Sequence, residues 1–191
     1  MSIIRRVFAI ILGWFLFNVS HQVPPLNGES AEYPLKLAFL YNFTKFVEWP
    51  AESYSDPGAP LAICVVGDDP FSPYLEEELR TRKVESHPVQ VKALKVNDTL
   101  GACHIVFVPV TEESQAARIV SGLKGSSALT VGESEGFAVL GGIINLTVEE
   151  NRLHFEVNPV AAERAGLKIS SKLLSMAKIV KDKEQDHGRK I

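Results

Sequence analysis

LAICVVGDDPF, residues 61–71, decides the fold. Residues 61–67 form an unbroken apolar run, as a strand buried on both faces requires. Gly67-Asp68-Asp69-Pro70 breaks the strand, and residues 71–81 read as a helix. The same alternation continues downstream. Residues 89–94 (VQVKAL) are a short strand and residues 103–108 (CHIVFV) a buried one. Residues 112–123 follow as a helix ended by Gly125, and residues 128–131 as another short strand. A β-α-β-β-α-β order predicts an α/β three-layer sandwich, with a largely parallel sheet and helices on both faces.

Upstream, residues 34–49 read as a helix. Leu35, Phe39, Phe43 and Phe46 recur at helical spacing, Lys36, Thr44, Lys45 and Glu48 form a polar edge, and Pro50 ends the helix. Trp49 is expected to cap this apolar surface with its indole hydrogen-bonded, and Glu48 to pair with Lys45. Residues 52–60, rich in Pro, Ser and Gly, form a loop. Downstream, residues 143–148 and 153–158 predict an antiparallel hairpin turning at Glu150-Asn151. Pairing Glu149 with Arg152 sets Ile144, Leu146 and Val148 across from Val157, Phe155 and Leu153 on an apolar face. Asn145 then opposes Glu156, and Thr147 opposes His154, on a polar one. Residues 159–165 and 170–180 read as helices around Gly166. Residues 181–191 (KDKEQDHGRKI) bury nothing and read as a disordered tail.

Arg5 and Arg6 precede the apolar run of residues 7–19 (VFAIILGWFLFNV), too short to span a bilayer, which takes about 20 residues. This is the pattern of an export signal. Residues 1–31 are therefore read as a leader, although no A-x-A cleavage site stands in it and a retained anchor stays open. Residues 32–180 are read as one domain. Removing Arg5, Arg6 and Glu29 with the leader takes the formal charge from −3 to −4. An acidic domain without a basic stripe is a poor nucleic-acid binder. Cys64 and Cys103 each lie in a strand-like run. In an oxidising compartment, neighbouring strands would let them form a disulfide; otherwise they are two small core side chains.

Catalytic patterns are weak. Gly132-Glu133-Ser134-Glu135-Gly136 matches G-x-S-x-G, with Glu149 and His154 downstream in hydrolase order. Yet the nucleophile elbow must open into a helix, and here the chain runs through Gly141-Gly142 into a strand. Flanking glutamates also oppose the oxyanion of acyl transfer. The five histidines are scattered, with no H-E-x-x-H and no C-x-x-C, and Asp68-Asp69 lacks the further ligands of a calcium loop. Neither a cofactor nor a metal is expected. Gly67–Pro70 does stand where open α/β sheets place their ligand crevice, with Asp69 equally able to cap the following helix.

Several segments together carry a family resemblance: LYNF (40–43), KFVEWP (45–50), CVVGDDPF (64–71), GFA (136–138), GGIIN (141–145) and FEVN (155–158). In this order they resemble the YfiR-like family of small exported bacterial proteins, over residues 35–180. The resemblance implies a periplasmic α/β sandwich that performs no chemistry. It implies a repressor that binds the periplasmic domain of an inner-membrane diguanylate cyclase, with an outer-membrane lipoprotein able to sequester it. Other membrane sensors as partner, and a homodimer, are compatible with it. Candidate ligand or partner contacts are Asn42, Glu48, Trp49, Asp68, Asp69, Phe71, Asn145 and Glu156. Trp49, Glu48, Asn145 and Glu156 serve equally as structural supports. Tyr54, Phe71, Tyr74 and Phe137 are expected as exposed aromatics at loop edges. The alternative class is a periplasmic small-molecule sensor, whose polar side chains would converge in a pocket.

Overall fold

The computed structural model describes residues 28–68, 71, 82–100 and 102–181. Most of the predicted leader, nearly all of the helix predicted over 71–81, Asp69, Tyr74 and the tail beyond Lys181 lie outside the described residues. The elements are α1 (Gly28–Phe43), β1 (Val47–Glu48), β2 (Leu61–Val66), β3 (Lys83–Val84), β4 (His87–Leu94), β5 (Ile105–Val108), α2 (Ala116–Gly122), β6 (Leu129–Gly132), β7 (Ile144–Glu149), β8 (Arg152–Val157), α3 (Pro159–Arg164), β9 (Lys168–Ile169), α4 (Ser171–Met176) and β10 (Lys178–Ile179). No helix among the described residues is long and apolar enough to cross a membrane.

Every side chain of β2 is buried, as is every one of β5. Such strands need neighbours along both edges and a cover on both faces. The eight-stranded sheet supplies the edges, in the order β10-β8-β7-β6-β5-β2-β4-β3. Its strands run parallel from β4 through β7. On one face Leu61, Ile63, Val65, Ile105 and Phe107 pack with Leu37, Leu40 and Phe43 of α1. On the other, Cys64, Val66, Val106 and Val108 pack with Ala116, Ile119 and Val120 of α2. The fold is thus α/β, a mostly parallel sheet between helices, with the predicted antiparallel hairpin at its carboxyl-terminal side. β7 and β8 pair in the expected register, from Ile144 opposite Val157 to Glu149 opposite Arg152. The turn residues Glu150 and Asn151 both take left-handed φ (50° and 58°), matching the right-handed twist of the flanking strands.

The first helix departs from expectation. It ends at Phe43, where Phe46 N–H closes a turn onto Phe43 O. Val47 and Glu48 then pair with Ile169 and Lys168 of β9. Long-range pairing and burial of Val47 thus override continued helix. The polar edge also differs, because Lys36 and Thr44 are buried while Leu35 is exposed. The buried stripe runs through Leu37, Leu40, Tyr41 and Phe43, and Phe39 packs from its margin against Phe43 and Phe155. The helix predicted over 170–180 stops at Met176. Lys178 and Ile179 instead lie parallel to Glu156 and Val157 as the edge strand β10. The helix predicted over 112–123 opens as a 3-10 turn (Val110–Gln115) before α2.

Cys64 and Cys103 form a disulfide, with Cα atoms 5.8 Å apart. At the amino-terminal ends of the strands, Trp49 Nε1–H donates to His104 O at 3.2 Å. His104 Nδ1 accepts from Ala62 N–H at 3.1 Å. His87 Nδ1–H donates to Ala59 O at 2.6 Å. The Tyr54 ring stacks on His87, centroids 3.9 Å apart, and tilts over His104 at 4.4 Å. Burial, reinforced by the nearby charges of His87 and Lys92, holds the His104 imidazole below the ordinary histidine range.

Three outcomes follow. Thiol labelling of the denatured, unreduced protein should find neither cysteine reactive. Reduction should cost about 4 kcal/mol on the chain-entropy model for a loop of 39 residues; quantitative labelling of both thiols would contradict this. Trp49→Ala removes a half-buried indole at a cost of about 3 kcal/mol, which lowers Tm by roughly 6–12 °C at this size. Trp49→Phe, losing mainly the hydrogen bond, should lower it by about 2–4 °C. Unchanged melting of both variants would remove Trp49 from the structural account. His104 is harder to protonate folded than unfolded, so its share of stability is complete above the unfolded pKa of about 6.5 and declines as pH falls below it. His104→Asn keeps an acceptor for Ala62 N–H but cannot titrate. Its Tm should fall less than that of the unmodified protein between pH 7.5 and pH 5.5, roughly the histidine window.

Candidate functional site

β2 lies between β4 and β5, so the chain winds outward in opposite directions from this strand. That switch point is where open α/β sheets leave a crevice beyond the strand ends. Gly67 leaves β2 with φ of +83° and donates its N–H to Leu94 O at 2.8 Å. A Cβ here would fall 2.6 Å from Glu112 Oε1, so the Glu112 side chain lies directly against the glycine. Asp68 is exposed beside it. Phe71 is not an exposed contact. Its ring is fully buried, 5.1 Å from that of Phe107 and 5.8 Å from that of Tyr33. A large aromatic so close to a parallel sheet gains more from filling the core than from facing solvent.

Beyond the carboxyl end of β6, and alongside β7 and β8, lies a crevice of about 510 Å³. Lys36 reaches down from α1 to this end of the sheet. Its ammonium is hydrogen-bonded to the buried Glu133 carboxylate and lies 2.6 Å from Glu32, one turn earlier on its own helix. Burial alone would lower the Lys36 pKa. Hydrogen bonds and charge from Glu133 and Glu32 outweigh it, so the ammonium titrates above the ordinary lysine range. Glu133 also accepts from Val110 N–H at 2.8 Å, fixing the loop that follows β5. Across the crevice, Asn145 Nδ2 donates to Glu156 Oε2 at 3.4 Å, and Lys178 Nζ lies 2.8 Å from Glu156 Oε1. Asn145 is 1% exposed, and its Oδ1 has no hydrogen-bond partner.

Ser134 sits in this region without the surroundings of a nucleophile. It is buried, and its carbonyl accepts from Phe137 N–H in a turn at 3.1 Å. From there the chain goes through turns to β7 with no helix. The glycines around it serve Phe137, whose ring occupies the space that a Cβ on Gly132 or Gly142 would need. Phe137 is therefore fully buried rather than exposed. His154 is exposed on the hairpin opposite Thr147.

The remaining predicted contacts do not converge. Asn145 and Glu156 meet in the crevice. Asn42 is exposed and accepts from Lys45 Nζ at 3.2 Å. Glu48 does not pair with Lys45, because the helix that would align them has ended; it lies 3.8 Å from Lys168, both side chains being well exposed. Trp49 and the half-buried Tyr54 belong to the histidine cluster at the opposite end of the strands. Sequence reasoning missed Lys36, Glu133 and Lys178. Lys36 stands four residues before Leu40 and seven before Phe43, on the buried stripe itself, and Glu32 lies four residues earlier. That spacing was the available signal. The role of Asn158 was equally legible as Asn-Pro before a helix. Its Oδ1 accepts from Ala161 N–H at 3.0 Å, while its Nδ2 donates to Ala138 O at 3.0 Å.

A crystal structure of a conserved domain protein from Vibrio cholerae shares this fold, with a TM-score of 0.54 and 14% identity. The alignment covers 78% of this chain and 60% of that one. An ABC domain in complex with L-Trp from Streptococcus pneumonia aligns more loosely, with a TM-score of 0.47 and 13% identity over 62% of this chain and 55% of that one. The chain thus spans less than two thirds of either structure. The match that identifies it is one of sequence: residues 33–178 fit the YfiR/HmsC-like family, and the chain belongs to that family.

Proposed function

We propose that this chain is an exported, non-catalytic regulator that represses a membrane-bound diguanylate cyclase, or a related signalling protein, by binding its periplasmic domain. Family membership over residues 33–178 carries the reading. The Cys64–Cys103 bond suits an oxidising compartment such as the periplasm. In this reading residues 1–31 are the removed leader and residues 32–180 the working domain, and an outer-membrane lipoprotein can compete for it. Self-association into a homodimer is compatible with the same role.

With Phe71 and Phe137 buried, the partner must meet other apolar groups. Val148, Met176 and Ile179 are each about half exposed. Val148 stands near the hairpin tip and Ile179 on the edge strand, whose outer side has no neighbouring strand among the described residues. An exposed apolar group at an open strand edge is the surface that a binding partner covers. The exposed Asn42 and Asp68 remain proposed as polar contacts.

Deleting the gene should raise cellular cyclic-di-GMP, and a form lacking residues 1–30 should fail to restore repression. Affinity capture from membranes should recover the cyclase. Val148→Asp with Ile179→Asp should abolish capture, while folding stability shifts by about 0.5 kcal/mol per surface site. Unchanged cyclic-di-GMP together with capture of a histidine-kinase sensor would keep the regulator and replace its partner. Ester hydrolysis by the purified protein that is lost in Ser134→Ala would overturn the reading.

A further inference from the structure

His104 fits its place only as a neutral imidazole. Its backbone is pinned, since its N–H donates to Ala62 O at 2.9 Å and its O accepts from Leu129 N–H at 2.8 Å and Trp49 Nε1–H at 3.2 Å. Its buried ring accepts from Ala62 N–H through Nδ1 at 3.1 Å. A backbone N–H can only donate, so Nδ1 carries the lone pair and the ring hydrogen sits on Nε2, which has no hydrogen-bond partner. A second proton must therefore go to Nδ1. There it meets the Ala62 N–H head-on and leaves that buried donor unsatisfied.

The same ring is one wall of a stack. The Tyr54 ring lies 3.9 Å from that of His87 and 4.4 Å from that of His104, inclined to them by 17° and 31°. Two rings can come so close to a third only from its opposite faces, so Tyr54 is held between the imidazoles. It belongs to residues 51–60. Apart from turns within the segment and onto Pro50, two hydrogen bonds tie that segment to the rest of the described chain. They are His87 Nδ1–H to Ala59 O at 2.6 Å and Ser86 Oγ–H to Pro57 O at 3.2 Å. Besides Tyr54, the groups that face the His104 ring are His87 and Lys92 of β4, both cationic when charged. Glu85 acts on Tyr54, and Glu52 and Asp56 of the segment are exposed. Among the described residues no carboxylate forms an ion pair with either imidazole.

We propose that the His104–Tyr54 contact is a proton-operated latch: charging His104 turns its ring away from Ala62 N–H and frees residues 51–60 while the sheet stays folded. The sheet keeps its own ties, the pairing of β2 with β5 and the Cys64–Cys103 bond beside it. The released segment exposes the Tyr54 ring and both imidazoles at the amino-terminal ends of the strands. His104 titrates near 6.5 when the segment is open and lower when it is closed, so the open fraction rises up to about tenfold per pH unit between the two values. The latch is independent of the repressor reading, since it needs no partner protein and its test uses none.

The test is NMR spectroscopy of the purified protein from about pH 7.5 to about pH 5, which covers the histidine window. Nuclear Overhauser contacts from the Tyr54 ring to the His87 and His104 rings should be present at the upper end. They should disappear in step with the titration of the His104 ring, while contacts between β2 and β5 persist. In His104→Asn, which keeps an acceptor for Ala62 N–H but cannot titrate, the Tyr54–His87 contacts should persist across the whole range. If that variant does not fold, the agreement between the ring titration and the loss of Tyr54 contacts decides alone. The proposal is overturned if the Tyr54 contacts survive throughout the range, if the β2–β5 contacts vanish with them, or if folded His104→Asn still loses the Tyr54–His87 contacts.

Discussion

The double-sided burial of β2 and β5 is the constraint on which the rest of the molecule depends. A strand with every side chain buried can be neither an edge nor an outer layer. It needs neighbours on both sides, which here are the parallel strands β4 and β5, and parallel neighbours require crossover connections that place covering elements on the faces. Because β4 and β5 flank β2 from opposite sides, the winding direction changes there. Gly67 and Asp68 leave β2 at the point of that change, where open α/β sheets place a crevice. The disulfide adds a covalent tie between β2 and the turn entering β5, on the face covered by α2.

Above that frame, the Lys36–Glu133 pair ties α1 to the carboxyl end of β6. Breaking one partner of such a buried pair would strand the other charge, which is usually far worse than never having built the pair. Glu133 also holds Val110 N–H, so a single carboxylate sets both the helix above the crevice and the loop beside it. The pair is therefore better understood as fixing the position of α1 relative to the strand ends than as a large source of stability.

Sheet strands and the hairpin register were legible because they depend on local signals: unbroken apolar runs, period-two alternation and a turn residue tolerant of positive φ. What escaped were features decided at long range. Residues 47–48 leave a helical pattern because β9, some 120 residues later, offers a backbone partner. Lys178 and Ile179 leave another because the outer edge of β8 is open to them. Phe71 and Phe137 stand beside proline and glycine, which reads as exposed loop, yet Phe71 packs against Phe107 and Tyr33, and Phe137 fills the space that Gly132 and Gly142 leave. At the crevice, Asn145 and Glu156 were found together because cross-strand pairing is local to the hairpin. Lys36 and Glu133 were not, because nearly a hundred residues separate them and only the folded sheet brings them into contact.

The segments that carry the family resemblance are largely occupied with packing. Phe137 fills the space left by Gly132 and Gly142. Asn158 caps α3 and holds Ala138 O, and Trp49 holds His104 O. Phe137 and Asn158 are fully buried, with their contacts made within the fold, whereas Trp49 is half-buried. Val148, Met176 and Ile179 present apolar surface at the hairpin and the edge strand, and Glu135 and Glu149 present charge at the crevice rim. Both faces of the hairpin reach the crevice: Asn145, Thr147 and Glu149 line it from the polar face, and Leu146 and Val148 from the apolar one.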